Sequence, residues 1–249
     1  MSALARIRVV LVRPRDAGNV GAAARAMKNT GLARLVLVAP PALDHARAAA
    51  LAVHAHDVLA ARTTCESLAD AVADCGLVVG TSGRRTAVGA GALTPHALAP
   101  EILRVALVSE VALVFGPEDH GLPNHELDLC QRVITIPTSA AYASLNLAQA
   151  VLLCGYELLL ADALPPAGAA RTLAPQERRE LLYAKLETAL SAIGFLKRDS
   201  AEHVMRRLRR MLGRADLDDE EVQILLGLAR QIAWAAAQLP RSGSGRPSE

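Results

Sequence analysis

Short, uninterrupted apolar runs, separated by stretches of helical composition, are the feature of this sequence that most constrains its fold. Strands in which every residue is apolar suit a parallel sheet covered by helices on both faces, because half-exposed strands alternate apolar and polar residues. The repeated change between the two kinds of segment predicts an α/β domain over residues 1–162. The predicted strands are residues 7–12, 35–38, 77–80, 112–115 and 133–136.

The segments between these runs have helical composition. Helices are predicted over residues 20–29, ending at Gly31, and over residues 65–73, ending at Gly76, because glycine commonly terminates a helix. The most apolar stretch, residues 145–161, is interrupted by polar side chains, which predicts a buried helix and no membrane span.

The chain changes character after the predicted α/β domain. Residues 163–175 are rich in proline, glycine and alanine and are predicted to form a linker. A small helical domain is predicted over residues 176–239, followed by a disordered tail over 240–249. Asp218 and Glu221 have the spacing of a capping box. The predicted C-terminal helices are residues 176–193, 200–212 and 218–237.

Positive charge is concentrated in one short segment of the chain. Residues 1–160 hold 13 basic and 13 acidic residues, whereas seven basic and two acidic residues fall within 195–214. Such an excess is either the footprint of a polyanion or a solvated helix face. Aromatic residues make up only 2% of the chain, which argues against a surface that stacks bases. The candidate RNA-binding residues are Lys197, Arg206, Arg207, Arg209 and Arg210.

Several common kinds of functional site are absent from the sequence. The four cysteines form no C-x-x-C pair and no signal segment is recognisable, which predicts reduced thiols and a cytoplasmic location. The seven histidines show no metal-ligand spacing, so no metal is expected. The GTSG sequence at 80–83 follows a predicted strand but matches neither a dinucleotide nor a phosphate-loop fingerprint.

Three glycine-containing junctions, each after a predicted strand, are the candidates for chemistry. In the first, residues 13–31, Gly18, Asn19 and Gly21 are predicted to turn the chain into a helix, and Arg25 follows about one turn later. An arginine beside a helix N-terminus can bind phosphate. An exposed arginine on an alanine-rich helix is the alternative.

The second and third junctions are equally ambiguous when taken singly. In residues 115–122, two glycines flank a proline and the acidic pair Glu118 and Asp119, which allows close backbone approach or simply caps a short helix. In residues 136–150, Ser144 and Asn146 open the long apolar helix, and a serine there is usually an N-cap. Together the junctions predict a cofactor crevice at the carboxyl ends of parallel strands, without naming a reaction.

In their order and spacing, the three junctions resemble the motifs of the SPOUT class of RNA methyltransferases, in its TrmH-like branch. The matching patterns are N-x-G-x-x-x-R-x-M-x-N-x-G from Asn19, F-G-P-E-x-x-G-L from Phe115 and I-P…S-L-N-L-A-x-A from Ile136. Residues 80–82 (GTS) and 194–227 are similar to the TrmJ group of that branch, which methylates the 2′-oxygen of nucleotide 32 in tRNA.

The resemblance implies a parallel sheet with a deep C-terminal trefoil knot, a homodimer, and S-adenosylmethionine held by three loops without a metal. It also implies that Arg25 is the central catalytic residue, with Asn19 beside it, and that Glu118, Ser144 and Asn146 position Arg25 and the ribose. The cofactor-binding residues it implies are Thr81, Ser82, Gly83, Gly116, Gly121, Ile136, Ser144, Leu145 and Asn146.

The implied function is 2′-O-methylation of a tRNA ribose, with nucleotide 32 (C or U) as the expected position and the basic segment as a tRNA-binding surface. Another position in tRNA or rRNA stays open. A knotted RNA-binding protein without activity also stays open as an alternative, although the intact motif residues disfavour it. A nicotinamide-dependent enzyme is disfavoured because the sequence lacks the fingerprint.

Overall fold

The computed structural model describes residues 2–83, 93–139, 141–142, 144–163, 172–197 and 199–238. The predicted tail and most of the predicted linker lie outside these residues. Six strands of the described chain form one parallel sheet: β1 (Ile7–Val12), β2 (Arg34–Val38), β3 (Thr63–Cys65), β4 (Cys75–Thr81), β5 (Glu110–Phe115) and β6 (Arg132–Ile134). Their order across the sheet is β3-β2-β1-β5-β4-β6.

The central strands are buried on both faces, as their apolar runs predict. Every residue of β1 is buried, with Val9 and Leu11 in one hydrophobic cluster and Val10 and Val12 in another on the opposite face. The five predicted strands are therefore confirmed, with small shifts at their ends. Strand β3 was not predicted, because it is a three-residue edge strand with mostly exposed side chains.

Helices cover both faces of the sheet and form the C-terminal region. Those of the α/β region are α1 (Ala17–Asn29), α2 (His45–Ala52), α3 (His56–Ala60), α4 (Leu68–Val72), α5 (Pro95–Ala106), α6 (Asn124–Leu127) and α7 (Leu147–Asp162). The C-terminal helices are α8 (Gln176–Ala192), α9 (Ala201–Gly213) and α10 (Asp219–Gln238). No helix of the described residues is long and apolar enough to span a membrane.

Helix α1 begins earlier than predicted. The Asp16 side chain accepts a hydrogen bond from the Gly18 backbone, so the helix starts at Ala17, and the expected turn at Gly18, Asn19 and Gly21 is wrong. A Cβ on Gly21 would lie 2.0 Å from the Ala48 carbonyl oxygen, so this glycine lets α1 and α2 pack closely. Arg25 therefore lies about two turns inside the helix, and not one.

Other expected boundaries also need correction. Helix α4 is shorter than predicted, because Cys65 belongs to β3 and Gly76 lies inside β4. Helix α7 begins at Leu147, and its cap is Asn146 rather than Ser144. The helix is not buried on all sides: one face exposes Leu152, Leu153, Tyr156, Leu159 and Leu160.

The C-terminal helices have a hydrophobic cluster of their own. The predicted capping box at the start of α10 is confirmed, since Glu221 N donates to Asp218 Oδ1 at 2.9 Å and Asp218 N donates to Glu221 Oε2 at 3.0 Å. Arg179 of α8 joins this region to the sheet, because its guanidinium donates to the carbonyl oxygens of Gly76 at 2.7 Å and Cys75 at 3.3 Å. Burial lowers the pKa of Arg179 to about 10.

Candidate cofactor-binding site

A cavity of about 330 Å³ opens at the carboxyl ends of three neighbouring strands. Thr81 of β4, Phe115 of β5 and Ile134 of β6 all line it. Its volume lies within the range of about 300–1,000 Å³ that is usual for small-molecule sites. The prediction of a crevice at the carboxyl ends of parallel strands is thus confirmed.

Eight of the nine predicted cofactor-binding residues line this cavity, and Asn146 is the exception. The lining combines apolar side chains with the backbone of glycine-containing loops. A Cβ placed on Gly83 or Gly121 would have no atom within 4 Å, so both positions border open space. The predicted residues on the lining are Thr81, Ser82, Gly83, Gly116, Gly121, Ile136, Ser144 and Leu145.

The loop after β5 is folded tightly back on itself. A Cβ on Gly116 would lie 2.3 Å from the Gly121 carbonyl carbon and 2.3 Å from the Leu122 nitrogen, so no larger residue fits there. Gly121 has a φ of 67°, a conformation that favours glycine. Both glycines of the second junction are therefore required by the shape of the loop that lines the cavity.

A chain of hydrogen bonds connects all three junctions beside the cavity. Asn19 Nδ2 donates to Glu118 Oε1 at 2.8 Å, and Asn19 Oδ1 accepts from Asn146 Nδ2 at 2.8 Å. Asn146 Oδ1 in turn accepts from the Ala148 nitrogen at 2.9 Å, which caps α7. The other Glu118 oxygen accepts from the Arg15 backbone at 3.0 Å. Asn19, in the first turn of α1, is therefore the central residue of a network that connects α1, the loop after β5 and the start of α7.

Arg25 stands apart from this network. Its side chain is exposed on α1, and it forms no hydrogen bond or ion pair with any other described residue. Glu118 and Asn146 bind Asn19, and neither they nor Ser144 form such a contact with Arg25 within the described chain. The guanidinium is consequently available to a ligand or to a second chain. The catalytic role of Arg25 stays a prediction.

A second cavity, of about 350 Å³, borders the first. Arg13 and Arg15 line it and were not among the predicted site residues. Arg13 has a φ of 46°, unusual for a residue other than glycine, and forms two hydrogen bonds of 2.6 and 2.9 Å with the buried carboxylate of Glu126. These hydrogen bonds raise the pKa of Arg13. Their position on either side of Pro14, at the end of β1, was the sequence signal that could have identified these two arginines as site residues.

The predicted RNA-binding residues divide into two groups. Arg206 pairs with Asp128 and Glu202, and Arg209 pairs with Glu180. Lys197, Arg207 and Arg210 are exposed and form no side-chain hydrogen bond or ion pair within the described residues. In the same part of the chain, no group of three or more His, Cys, Asp or Glu side chains could hold a metal ion.

Two family models match the chain. Residues 6–156 match the SpoU rRNA Methylase family, and residues 177–242 match the tRNA methyltransferase TrmJ, C-terminal domain. Together the two matches cover both the sheet with its cavity and the C-terminal helices.

Individual proteins are similar over nearly the whole chain. The tRNA (cytidine/uridine/adenosine-2′-O-)-methyltransferase TrmJ of Pseudomonas aeruginosa (strain UCBPP-PA14) is 41% identical over 95% of this chain and 97% of its own. The tRNA (cytidine/uridine-2′-O-)-methyltransferase TrmJ of Sodalis glossinidius (strain morsitans) is 37% identical over 98% and 99%. The crystal structure of TrmJ from Z. mobilis ZM4 superposes with a TM-score of 0.77 at 33% identity, over 90% of this chain and 98% of that one.

Proposed function

The chain belongs to the SpoU rRNA Methylase family and is a methyltransferase, and we propose that it methylates the 2′-hydroxyl of a ribose in tRNA with S-adenosylmethionine as donor. The Asn19-centred network carries this proposal, because it joins the three motif loops around one cavity. The names of the two curated relatives supply the substrate, since both describe tRNA 2′-O-methyltransferases.

The cavity fits such a donor. Its lining offers apolar side chains such as Ile134 and Ile136 to the base and leaves room beside Gly83 and Gly121 for the rest of the molecule. When bound, S-adenosylmethionine supplies an activated methyl group, so catalysis is mainly the placement of the 2′-oxygen in line with it. The protein residues then have to hold the loops rigid and orient the ribose.

Arg25 is the residue proposed to orient the substrate. A guanidinium has a pKa above about 12 and does not act as a free base near neutral pH. It can bind an RNA phosphate through two parallel hydrogen bonds, and that phosphate can accept the proton of the 2′-hydroxyl. The absence of a protein partner for Arg25 within the described residues supports this role, because the side chain does not have to leave an ion pair to bind RNA.

The proposed position is nucleotide 32, with cytidine or uridine there. The relatives' names support these two bases, and the P. aeruginosa name adds adenosine, which belongs among the bases to be tested. The position itself rests on the resemblance of residues 80–82 and 194–227 to the TrmJ group. Another tRNA or rRNA position is the alternative.

We further propose a cytoplasmic homodimer that forms through the exposed face of α7. Leu152, Leu153, Tyr156, Leu159 and Leu160 are all exposed on one face of this helix, and a contiguous exposed apolar surface is typical of an interaction site. Helix α7 also packs on α1, which carries Arg25. The trefoil knot and the division into residues 1–162 and 176–239 belong to the same proposal.

Ligand titration tests the cofactor assignment. In isothermal calorimetry, the purified protein should bind S-adenosylmethionine with micromolar affinity and should give no heat with NAD. Substitution of Gly83 by valine, which places a side chain beside the cavity without changing its charge, should weaken the binding. Binding of NAD in place of S-adenosylmethionine would overturn the assignment.

A further inference from the structure

Helix α9 has two sharply different sides. Ala201, Val204, Met205, Leu208 and Leu212 lie on the side that packs into the C-terminal hydrophobic cluster. Their spacing of three or four residues is that of one helix face. The opposite side of the helix consequently faces water.

Four cationic or titratable residues lie on that outer side: His203, Arg207, Arg210 and the capping residue Arg214. Their spacing, i, i+4, i+7 and i+11, places them within an arc of about 60° around the helix axis. All four are exposed, and none of them forms a hydrogen bond or ion pair within the described chain. We call these four residues the α9 stripe. It is about 16 Å long.

The other two arginines of the helix are held by the protein. Arg206 Nε lies 3.0 Å from Asp128 Oδ2, and Arg206 Nη2 lies 2.7 Å from Glu202 Oε1. Arg209 Nη1 lies 2.7 Å from Glu180 Oε1, with its guanidinium 4.5 Å from the centre of the Tyr183 ring. Their charges are therefore largely balanced, and their contacts fix α9 to α6 and α8.

The ion pair of Arg206 also connects α9 to an element that lines the cavity. Asp128 directly follows α6, and Asn124 and Leu127 of α6 both line the cavity. Helix α9, which carries the stripe, is thus bound to α6, a helix that borders the proposed methyl-transfer site.

We propose that the α9 stripe is the surface that binds the RNA backbone, and that Arg206 and Arg209 are positioning residues that hold it in place. This inference rests on the proposed function, and it assigns the contact with the RNA substrate to one face of α9. Of the four arginines expected from the sequence to bind RNA, Arg206 and Arg209 are instead assigned to positioning, because both are already paired with carboxylates. A row of unpaired guanidinium groups suits consecutive phosphates and does not read bases.

The number of charges removed from the stripe determines how much tRNA binding should weaken. Each lost phosphate contact should reduce the slope of log affinity against log salt by about 0.7–0.9. For the double variant Arg207→Gln/Arg210→Gln, the slope should fall by about 1.4–1.8, and the affinity at 0.1 M salt by about 30-fold. Because both side chains are exposed and unpaired, the substitutions should not disturb the fold.

The experiment measures binding of an unmodified tRNA transcript to the full-length protein by fluorescence anisotropy between 0.05 and 0.5 M salt. The matched control is Lys185→Gln/Arg230→Gln, which removes the same charge from exposed, unpaired positions on α8 and α10. The stripe variant should bind tRNA more weakly and with a smaller salt slope. Its loss in methyl transfer should appear in KM for tRNA. The affinity of the control for tRNA should stay within about 2-fold of wild type.

Two results would overturn the inference. One is wild-type affinity and slope in the stripe variant, and the other is an equal loss in the control, which would mean that overall charge alone attracts RNA. Failure of the proposed function looks different, because the wild-type protein would then bind tRNA without methylating it.

Discussion

Asn19 connects the three motif segments through two side-chain hydrogen bonds of 2.8 Å. Substitution by aspartate changes only the amide nitrogen to an oxygen, but it places a carboxylate against that of Glu118 and removes the donor. Asn19→Asp should therefore reduce the affinity for S-adenosylmethionine by about 10-fold relative to wild type, and Asn19→Ala should reduce it less. Calorimetric titration of the three proteins measures this order, and the reverse order would argue against the network.

Arg25 is predicted to act on the RNA and not on the cofactor. Arg25→Ala should lower kcat by at least about 100-fold, because the group that orients the phosphate is lost, while the affinity for S-adenosylmethionine changes little. Lys28→Ala is a control on the same helix, since Lys28 is half-exposed and pairs only with the exposed Asp57. Wild-type turnover in Arg25→Ala would refute the catalytic role.

Arg178 and Arg179 are neighbours on α8 with opposite environments. Arg179 is 2% exposed and donates to two carbonyl oxygens of β4, whereas Arg178 pairs with an exposed carboxylate, Asp219. Arg179→Met leaves those carbonyls without a donor and should lower the free energy of unfolding by on the order of 2 kcal/mol.

Thermal or urea denaturation measures the difference, with Arg178→Met as the control, which should change stability by less than about 0.5 kcal/mol. Strand β4 ends at the cavity, so the C-terminal helices help to support the site itself. Equal stability of the two variants would show that Arg179 does not hold the sheet.

The elements differ in how far local sequence determines them. Five strands could be predicted, because a continuous apolar run is stable only where both faces are covered. Strand β3 carried no such run, and the start of α1 was missed because two glycines suggested a turn. Only the approach of the Ala48 carbonyl explains why Gly21 lies inside a helix, and that contact joins distant parts of the chain.

Contacts between distant parts of the chain also limited the prediction of the site. The motif loops were predictable by their resemblance, and eight of the nine proposed cofactor residues do line one cavity. The pairing of Arg206 with Asp128 and of Arg209 with Glu180 was not predictable, because these partners are 78 and 29 residues apart in sequence. Charge counts alone do not separate a free arginine from a paired one.

For the whole molecule, the exposed face of α7 predicts a dimer. Tyr156→Glu with Leu153→Glu should give a monomer, because two charges cannot be buried in an apolar interface. Light scattering measures the mass, with Ile224→Glu, at an even more exposed apolar position on α10, as the control that stays dimeric. A wild-type protein that is monomeric and fully active would contradict the proposed dimer.

The proposed reaction is the transfer of a methyl group to a ribose 2′-oxygen of tRNA. The most direct test incubates unmodified tRNA transcripts with the purified protein and S-adenosylmethionine, then identifies the methylated nucleoside by mass spectrometry and its position by resistance to alkaline hydrolysis. We expect a single 2′-O-methylated nucleotide, at position 32, with wild-type protein and none with Arg25→Ala. Methylation of a base, or no methylation of any tRNA by a protein that binds the donor, would contradict it.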